Sequence, residues 1–284
     1  MHLDRIELAD IGNPRLMAAG VIKLLPSVEF PLPVEDIARA LEIRDIVSFD
    51  TDVFDGALLT DEAKSNSTIL VRANSRIERK RFTIGHELGH YLMPLHIPGA
   101  GGFHCTPAGM RKEESKGVRG PAAWEAEANT FSAELLMPPT HFKRSLRSHR
   151  DVSLDALTTL ATQFGVSKMA CGRRMTQLAD DPCAVVVSKD GALEYVYRHA
   201  DFPFIRLQSG MALPCDSMAI TLHKTIGTVS SVKPTEPRGW RLPEKRGMEV
   251  YEQVMIQAGG WALTLLTAEL EDEDEEEEEE EDES

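Results

Sequence analysis

The sequence predicts an α+β protein: a mixed domain of helices and a small sheet, then a helix pair, then a smaller C-terminal domain that is β-rich or α/β. Three observations carry this. Short strand-like segments at 46–49, 57–59 and 68–71 lead directly into an amphipathic helical segment at 81–95. A second helical segment, 122–137, repeats apolar residues at helical spacing. From residue 183 onward the pattern changes to short β-like runs between Gly-containing turns. A chain of 284 residues with 42% hydrophobic residues has length for two domains and enough apolar material for their cores.

In order, 13–25 and 34–41 read as short helices on either side of Phe30-Pro31-Leu32-Pro33, the second with Ile37, Ala38 and Leu41 on one face. The three strands follow, separated by Asp, Gly, Ser and Asn turns. The last runs through Asn74 into Ser75-Arg76-Ile77-Glu78, the pattern of a capping box that opens the next helix. A strand edge is expected just ahead of that helix, where an extended peptide can add as a further strand. Within it Ile84, Leu88, Tyr91 and Leu95 recur at i, i+4, i+7 and i+11 as a core-facing stripe. Gly85 and Gly89 remove bulk where a neighbouring backbone or a substrate approaches, and Met93-Pro94 ends the helix.

Away from the apolar stripe lies His86-Glu87-Leu88-Gly89-His90. On a helix the two histidines share a face and can converge on one ion. Glu87 then sits about a quarter-turn round, where its carboxylate reaches a water on that ion without ligating it, as H-E-x-x-H metallopeptidase chemistry requires. Two third ligands compete. His96, six residues after His90, has the spacing of a third metzincin histidine, yet Met93 occupies the position of the glycine that makes the turn. Glu125, on the segment whose stripe is Trp124, Ala128, Phe131 and Leu135, gives instead two histidines and a glutamate with a position left for water. Asn129, one turn after Glu125, is placed to orient that carboxylate. Glu127 and Glu134 read as solvated. The stretch 94–121, rich in Gly, Pro, Lys and Arg, has no useful periodicity and is either a lid or a disordered surface insertion; His104-Cys105 within it can touch the metal site.

RFTIGHELGHYL followed by WEAEANTFSAELLMP resembles the ImmA/IrrE family of bacterial and phage metallopeptidases. The resemblance extends upstream through Phe54-Asp55-Gly56 and Ile69-Leu70-Val71 and downstream through LATQFGVSKMACGRRMTQL, covering about residues 30–178. It implies a zincin-like fold with His86, His90 and Glu125 as zinc ligands and Glu87 as general base. His104, Tyr91 and His141 are the candidate donors to a developing oxyanion. The long insertion before Trp124 departs from short-loop members. The substrate class the resemblance implies is a helix-turn-helix repressor, cut to relieve repression in a stress or mobile-element response.

The domains expected are 1–181, the peptidase domain with a helix-turn-helix-like pair at 153–178; 182–270, an appended domain; and 271–284, an acidic tail. The pair turns at Phe164-Gly165-Val166-Ser167, and Lys168, Arg173 and Arg174 are the cations that would meet phosphates. This motivates an alternative from another class, a DNA- or protein-binding transcriptional regulator using 153–178 with its metal site structural or lost. Direct DNA binding is not expected. The formal charge of −15 includes thirteen consecutive acids at 271–283; removing those 13 from 46 leaves 33 acids against 31 bases, a net of −2 and no broad footprint for DNA. The tail itself is low-complexity, self-repelling and expected to be disordered.

In 182–270, runs at 184–187 and 193–197 flank a Lys189-Asp190-Gly191 turn, a hairpin signal, and 218–222, 250–256 and 261–266 read as further elements. Some family members carry a sensor-like domain here, so the resemblance implies a sensory role, with passive packing as the alternative. Cys105, Cys171, Cys183 and Cys215 form no C-x-x-C pair and read as reduced thiols. The N-terminus lacks the apolar core of a signal peptide and no run is long enough to span a membrane, so a cytoplasmic protein is expected.

Overall fold

In the computed structural model of the chain the described residues are 3–99, 101–105, 109–111, 120–222, 226–243 and 247–269. They hold eight α-helices and two sheets, of four and five strands, which is the α+β class expected. Two compact units divide the chain: Met1–Phe142 with Ala161–Ser167, and Lys143–Leu160 with Lys168–Ser284. The acidic tail and residues 106–108 and 112–119 of the lid-or-insertion stretch lie outside the described residues.

The first unit begins with α1 (Pro14–Leu24) and α2 (Val34–Ala40). Asn13 caps α1, its side-chain oxygen accepting from the N–H groups of Arg15 and Leu16, with Pro14 in the first turn. Strands β1 (Ile43–Phe49), β2 (Gly56–Leu59) and β3 (Ser67–Arg72) precede the long helix α3 (Ile77–Leu92). A fourth strand, β4 (Phe103–Cys105), comes from the stretch in which the sequence showed no periodicity. Three residues are too few to display an alternation. The sheet order is β1-β3-β2-β4, with β1 parallel to β3 and the other pairs antiparallel. The strand leading into α3 is therefore interior, and the edges are β1 and β4. The expected edge just ahead of α3 is corrected accordingly.

Helix α3 opens without the expected capping box: Arg76 is its N-cap and no side chain bonds to the cap. Its end is held by Lys64, whose Nζ donates to the carbonyls of His90 (2.7 Å) and Met93 (2.8 Å), groups that otherwise lack intrahelical partners. Burial and the nearby Arg5 charge bring the Lys64 pKa down to about 8. Leu95 lies beyond the helix and is exposed, so the predicted stripe stops at Tyr91. Every residue from Thr83 to Leu92 is buried, because helix α4 (Pro121–Leu136) covers α3 as well as the sheet. Gly85 and Gly89 allow that approach: a methyl on Gly85 would lie 2.6 Å from Ser132 Oγ, and one on Gly89 3.2 Å from the Ala128 Cα. Residues 161–167 add Phe164, whose ring meets Phe30 and Phe142 at centroid distances of 4.5 and 5.2 Å.

Helices α5 (Pro139–Arg147) and α6 (Leu154–Phe164) each contribute to both units, and α7 (Lys168–Leu178) belongs to the second. Pro138-Pro139 ends α4 but also starts α5, a helix the sequence reading passed over, since proline suits a first turn. The second unit is built on β5 (Cys183–Lys189) and β6 (Ala192–Arg198), which form the expected hairpin through Asp190-Gly191. The element expected at 218–222 is a short helix, α8 (Met218–Thr221), capped by the Ser217 hydroxyl. Strands β7 (Lys233–Pro234), β8 (Glu249–Ile256) and β9 (Trp261–Glu269) complete the antiparallel order β6-β5-β9-β8-β7. One face packs Ala184, Val186, Phe202, Trp240 and Leu266 into a core; from β5 the alternate Val185 points to α7 instead, against Gly172.

The three cations of the DNA reading are not free on the surface. Arg174 is buried and its Nη1 donates to Gln177, Arg173 lies half-buried over the Tyr197 ring, and Lys168 is half-buried with its Nζ at Met255 Sδ. Side chains engaged in packing this way present no row of charges to a phosphate backbone.

Candidate metal centre

The i, i+4 spacing on α3 brings the Nε2 atoms of His86 and His90 to 3.1 Å from each other, both side chains with no exposure. Helix α4 delivers Glu125 to the same point: its Oε2 lies 3.7 Å from His86 Nε2 and its Oε1 3.4 Å from His90 Nε2. From β4 comes Cys105, with Sγ 3.5 Å from Glu87 Oε2 and 3.8 Å from Glu125 Oε1. Ligand atoms of His86, His90, Cys105 and Glu125 all lie within 4.8 Å of one another, a group able to hold a metal ion.

The hydrogen bonds around the two imidazoles decide their tautomers. Asn129 Nδ2 donates to the Gly109 carbonyl (3.2 Å), which turns its Oδ1 toward His86 Nδ1 at 2.9 Å. Because that oxygen only accepts, His86 carries its proton on Nδ1 and its Nε2 is bare. On the other side Glu127 Oε2 accepts from His96 Nε2 at 2.8 Å. His96 Nδ1 is then an acceptor, and at 3.0 Å it accepts a hydrogen bond from the Nδ1–H of His90. His90 Nε2 is bare as well. Two lone pairs thus face each other across 3.1 Å between two buried side chains, an arrangement that repels unless a cation lies between them. Burial also holds both imidazoles neutral: it depresses the His86 pKa well below the ordinary value, with the His90 charge adding, and it depresses that of His90. His96, buried beside His90 and Lys64, is pushed down to about 2. Neutral imidazole with one committed N–H is the form that ligates a metal, so the donor chemistry fits the ion.

Glu87 points into the same chamber without joining the donor set. Its side chain is fully buried, Oε2 accepts from the Cys105 thiol, and Oε1 has no hydrogen-bond partner. Burial raises its pKa well above the usual carboxylate range; the thiol hydrogen bond opposes this and the Glu125 charge adds to it. Gly56 on β2 makes the room: a methyl there would stand 2.6 Å from Glu87 Oε1. Burial likewise drives the Cys105 thiol far up, with the Glu87 and Glu125 charges adding. Asp55, next to Gly56, ties the end of β2 to α3 by accepting from Arg79 at 2.6 Å.

Of the residues singled out from sequence, the structure brings together His86, Glu87, His90, Glu125 and Asn129, and it reassigns the last. Asn129 bonds His86, not Glu125. His96, the metzincin-type alternative, stands behind His90 and its ring nitrogens are both engaged there. Tyr91 is not brought to the cluster: its hydroxyl accepts from Arg5 Nη1. His104 alternates with its β4 neighbours, so Phe103 stacks on His90 and Cys105 enters the site while His104 is exposed near Phe54. The contacts of His141 run to the Phe30 ring, 5.3 Å away. Glu127, read as solvated, and Phe103 were missed. Their signal is tertiary, since neither spacing nor composition marks them.

Comparison with known proteins follows the same lines. Residues 42–176 match the profile of a peptidase family described as the IrrE N-terminal-like domain. No curated protein matches the chain. A solved structure named Mycobacterium tuberculosis transcriptional regulator is similar in fold, with a TM-score of 0.57 at 13% identity over 93% of this chain and 80% of that one.

Proposed function

From a chain whose residues 42–176 match the profile of the IrrE N-terminal-like peptidase family, we propose a zinc-dependent endopeptidase whose substrate is a helix-turn-helix repressor, cut to relieve repression. The observation that carries the enzyme reading is the convergence of two bare imidazole nitrogens and the Glu125 carboxylate beside the buried Glu87 carboxyl, whose Oε1 has no hydrogen-bond partner. The repressor rests on the family resemblance alone.

When bound at this point, zinc supplies Lewis acidity, bringing the pKa of a water it holds to about 7 and polarising a peptide carbonyl. His86, His90 and Glu125 would hold the ion, with Asn129 and the Glu127-His96 pair fixing the ring orientations. Glu87 takes the proton from the attacking water at its unpartnered Oε1 and passes it to the leaving amine. The DNA-binding alternative has less support, since Lys168, Arg173 and Arg174 are engaged within the second unit.

Two measurements test the reading. Zinc content should be near one per chain, be lost in His90→Ala and Glu125→Ala, and survive in folded His96→Ala with weakened affinity; a folded wild type that takes up no zinc ends the enzyme reading. N-terminal labelling of the proteome of cells expressing wild type or Glu87→Gln should reveal a new N-terminus inside a helix-turn-helix repressor in the first only. New termini confined to other proteins would remove the repressor.

A further inference from the structure

Three protein donors and one open position suffice for a zinc peptidase, because the fourth position must admit water. Here a fourth donor from the protein is already in place. Cys105 Sγ lies within 4.8 Å of the ligand atoms of His86, His90 and Glu125 and is fully buried. Among the described residues the thiol's hydrogen-bond partners are the two site carboxylates. Its strand is held at the sheet edge by three residue pairs with β2, Gly56 with Cys105, Ala57 with His104 and Leu58 with Phe103. The Asp55 N–H also donates to the Cys105 carbonyl at 3.2 Å. Directly before the strand, Gly101 has φ +92 and Gly102 φ +101, and Gly102 passes so near Leu58 that a methyl on it would overlap the Leu58 carbonyl. The chain is thus turned sharply and pinned so that Cys105 enters the site. Phe103, two residues earlier on the same face, stacks on the His90 ring at 4.4 Å and fixes the strand's rotation.

Resting on the zinc-site reading above, we propose that Cys105 is a fourth metal ligand and that the resting protein is a latent peptidase, its water position filled by this sulfur until β4 withdraws. The thiol gives its proton to solvent as the sulfur–metal bond forms; withdrawal reverses this, the sulfur regaining a proton as water takes its place. Soft sulfur and imidazole donors together select zinc over magnesium or calcium. An edge strand of three residues is the element of this sheet with the fewest bonds to break, so a substrate that pairs with β2 in place of β4 would expose the centre as it docks.

The test uses the full chain loaded with cobalt(II), whose spectrum reports sulfur ligation directly. Wild type should bind one cobalt and show a near-ultraviolet thiolate-to-cobalt charge-transfer band. That band should be lost in Cys105→Ser and Cys105→Ala, which still bind cobalt, and persist in Cys215→Ser. Hydrolysis by the zinc-loaded Cys105 variants should rise several-fold over wild type. Bound cobalt without the band in wild type overturns sulfur ligation while leaving the three-donor centre standing. Failure of folded wild type to bind cobalt removes the centre and this proposal with it. A band in wild type with equal hydrolysis by folded Cys105→Ser overturns the latency.

Discussion

His96 meets His90 nitrogen to nitrogen, Nδ1 to Nδ1 at 3.0 Å, and Glu127 holds the far side of His96 at 2.8 Å. The pair acts as an orienting chain: carboxylate, imidazole, imidazole, with the last Nε2 left bare. Replacing His96 by Ala or Glu127 by Gln should weaken metal affinity by about 10- to 100-fold while leaving one metal per chain at saturation. Competition against a chelator reads this, and unchanged affinity in both variants would sink the orienting role.

Glu87→Gln preserves shape and removes the proton acceptor. Metal content and circular dichroism should match wild type, while hydrolysis should fall by about 100- to 10,000-fold. Full activity in this variant would end the assignment of Glu87 as general base.

Gly89→Ala sets two effects against each other. Helix propensity favours alanine by about 1 kcal/mol. Against it, the new methyl would press the Ala128 Cα at 3.2 Å and the Phe131 ring at 3.1 Å, and a backbone atom cannot swing aside. Overpacking of this kind costs about 1–3 kcal/mol, so the variant should be destabilised overall. A midpoint in urea at or above that of wild type would show that α3 and α4 can separate without cost.

Glu252 gives a pH signature away from the metal centre. Buried on β8, it accepts from the Ser217 hydroxyl at 2.6 Å and the Met218 N–H at 3.1 Å, and burial raises its pKa above the model-peptide value of 4.5. Between 4.5 and the folded value, the folded state binds more protons than the unfolded one. Its stability contribution is therefore full below 4.5 and is lost as pH rises through the folded pKa. Urea titrations at stepped pH should show this fall in wild type and a flatter profile in Glu252→Gln. The same slope in both would assign the effect elsewhere.

Local spacing made part of the site legible. His86 and His90 share a face because four residues are nearly one helical turn, and Glu87 follows them by the same geometry. The Asp190-Gly191 hairpin was equally readable, a turn chemistry contained within a few residues. The Ser75–Glu78 signal failed because the helix starts at Ile77, after the residue that would have capped it, and the type of the 218–222 element was not legible because its Met218 N–H meets Glu252, which comes from distant β8.

By itself, then, the sequence determined the α+β class, the helix bearing H-E-x-x-H and the likeness to the peptidase family whose profile residues 42–176 match. Tertiary structure alone decided which atoms meet: that Glu125 joins the histidines while His96 stands behind one of them, that Asn129 serves His86, and that Cys105 closes the ring of donors. The physical reason is range. Periodicity and capping are set by neighbours within about one turn, whereas donors on α3, β4 and α4 are brought together by packing that no short window of sequence contains.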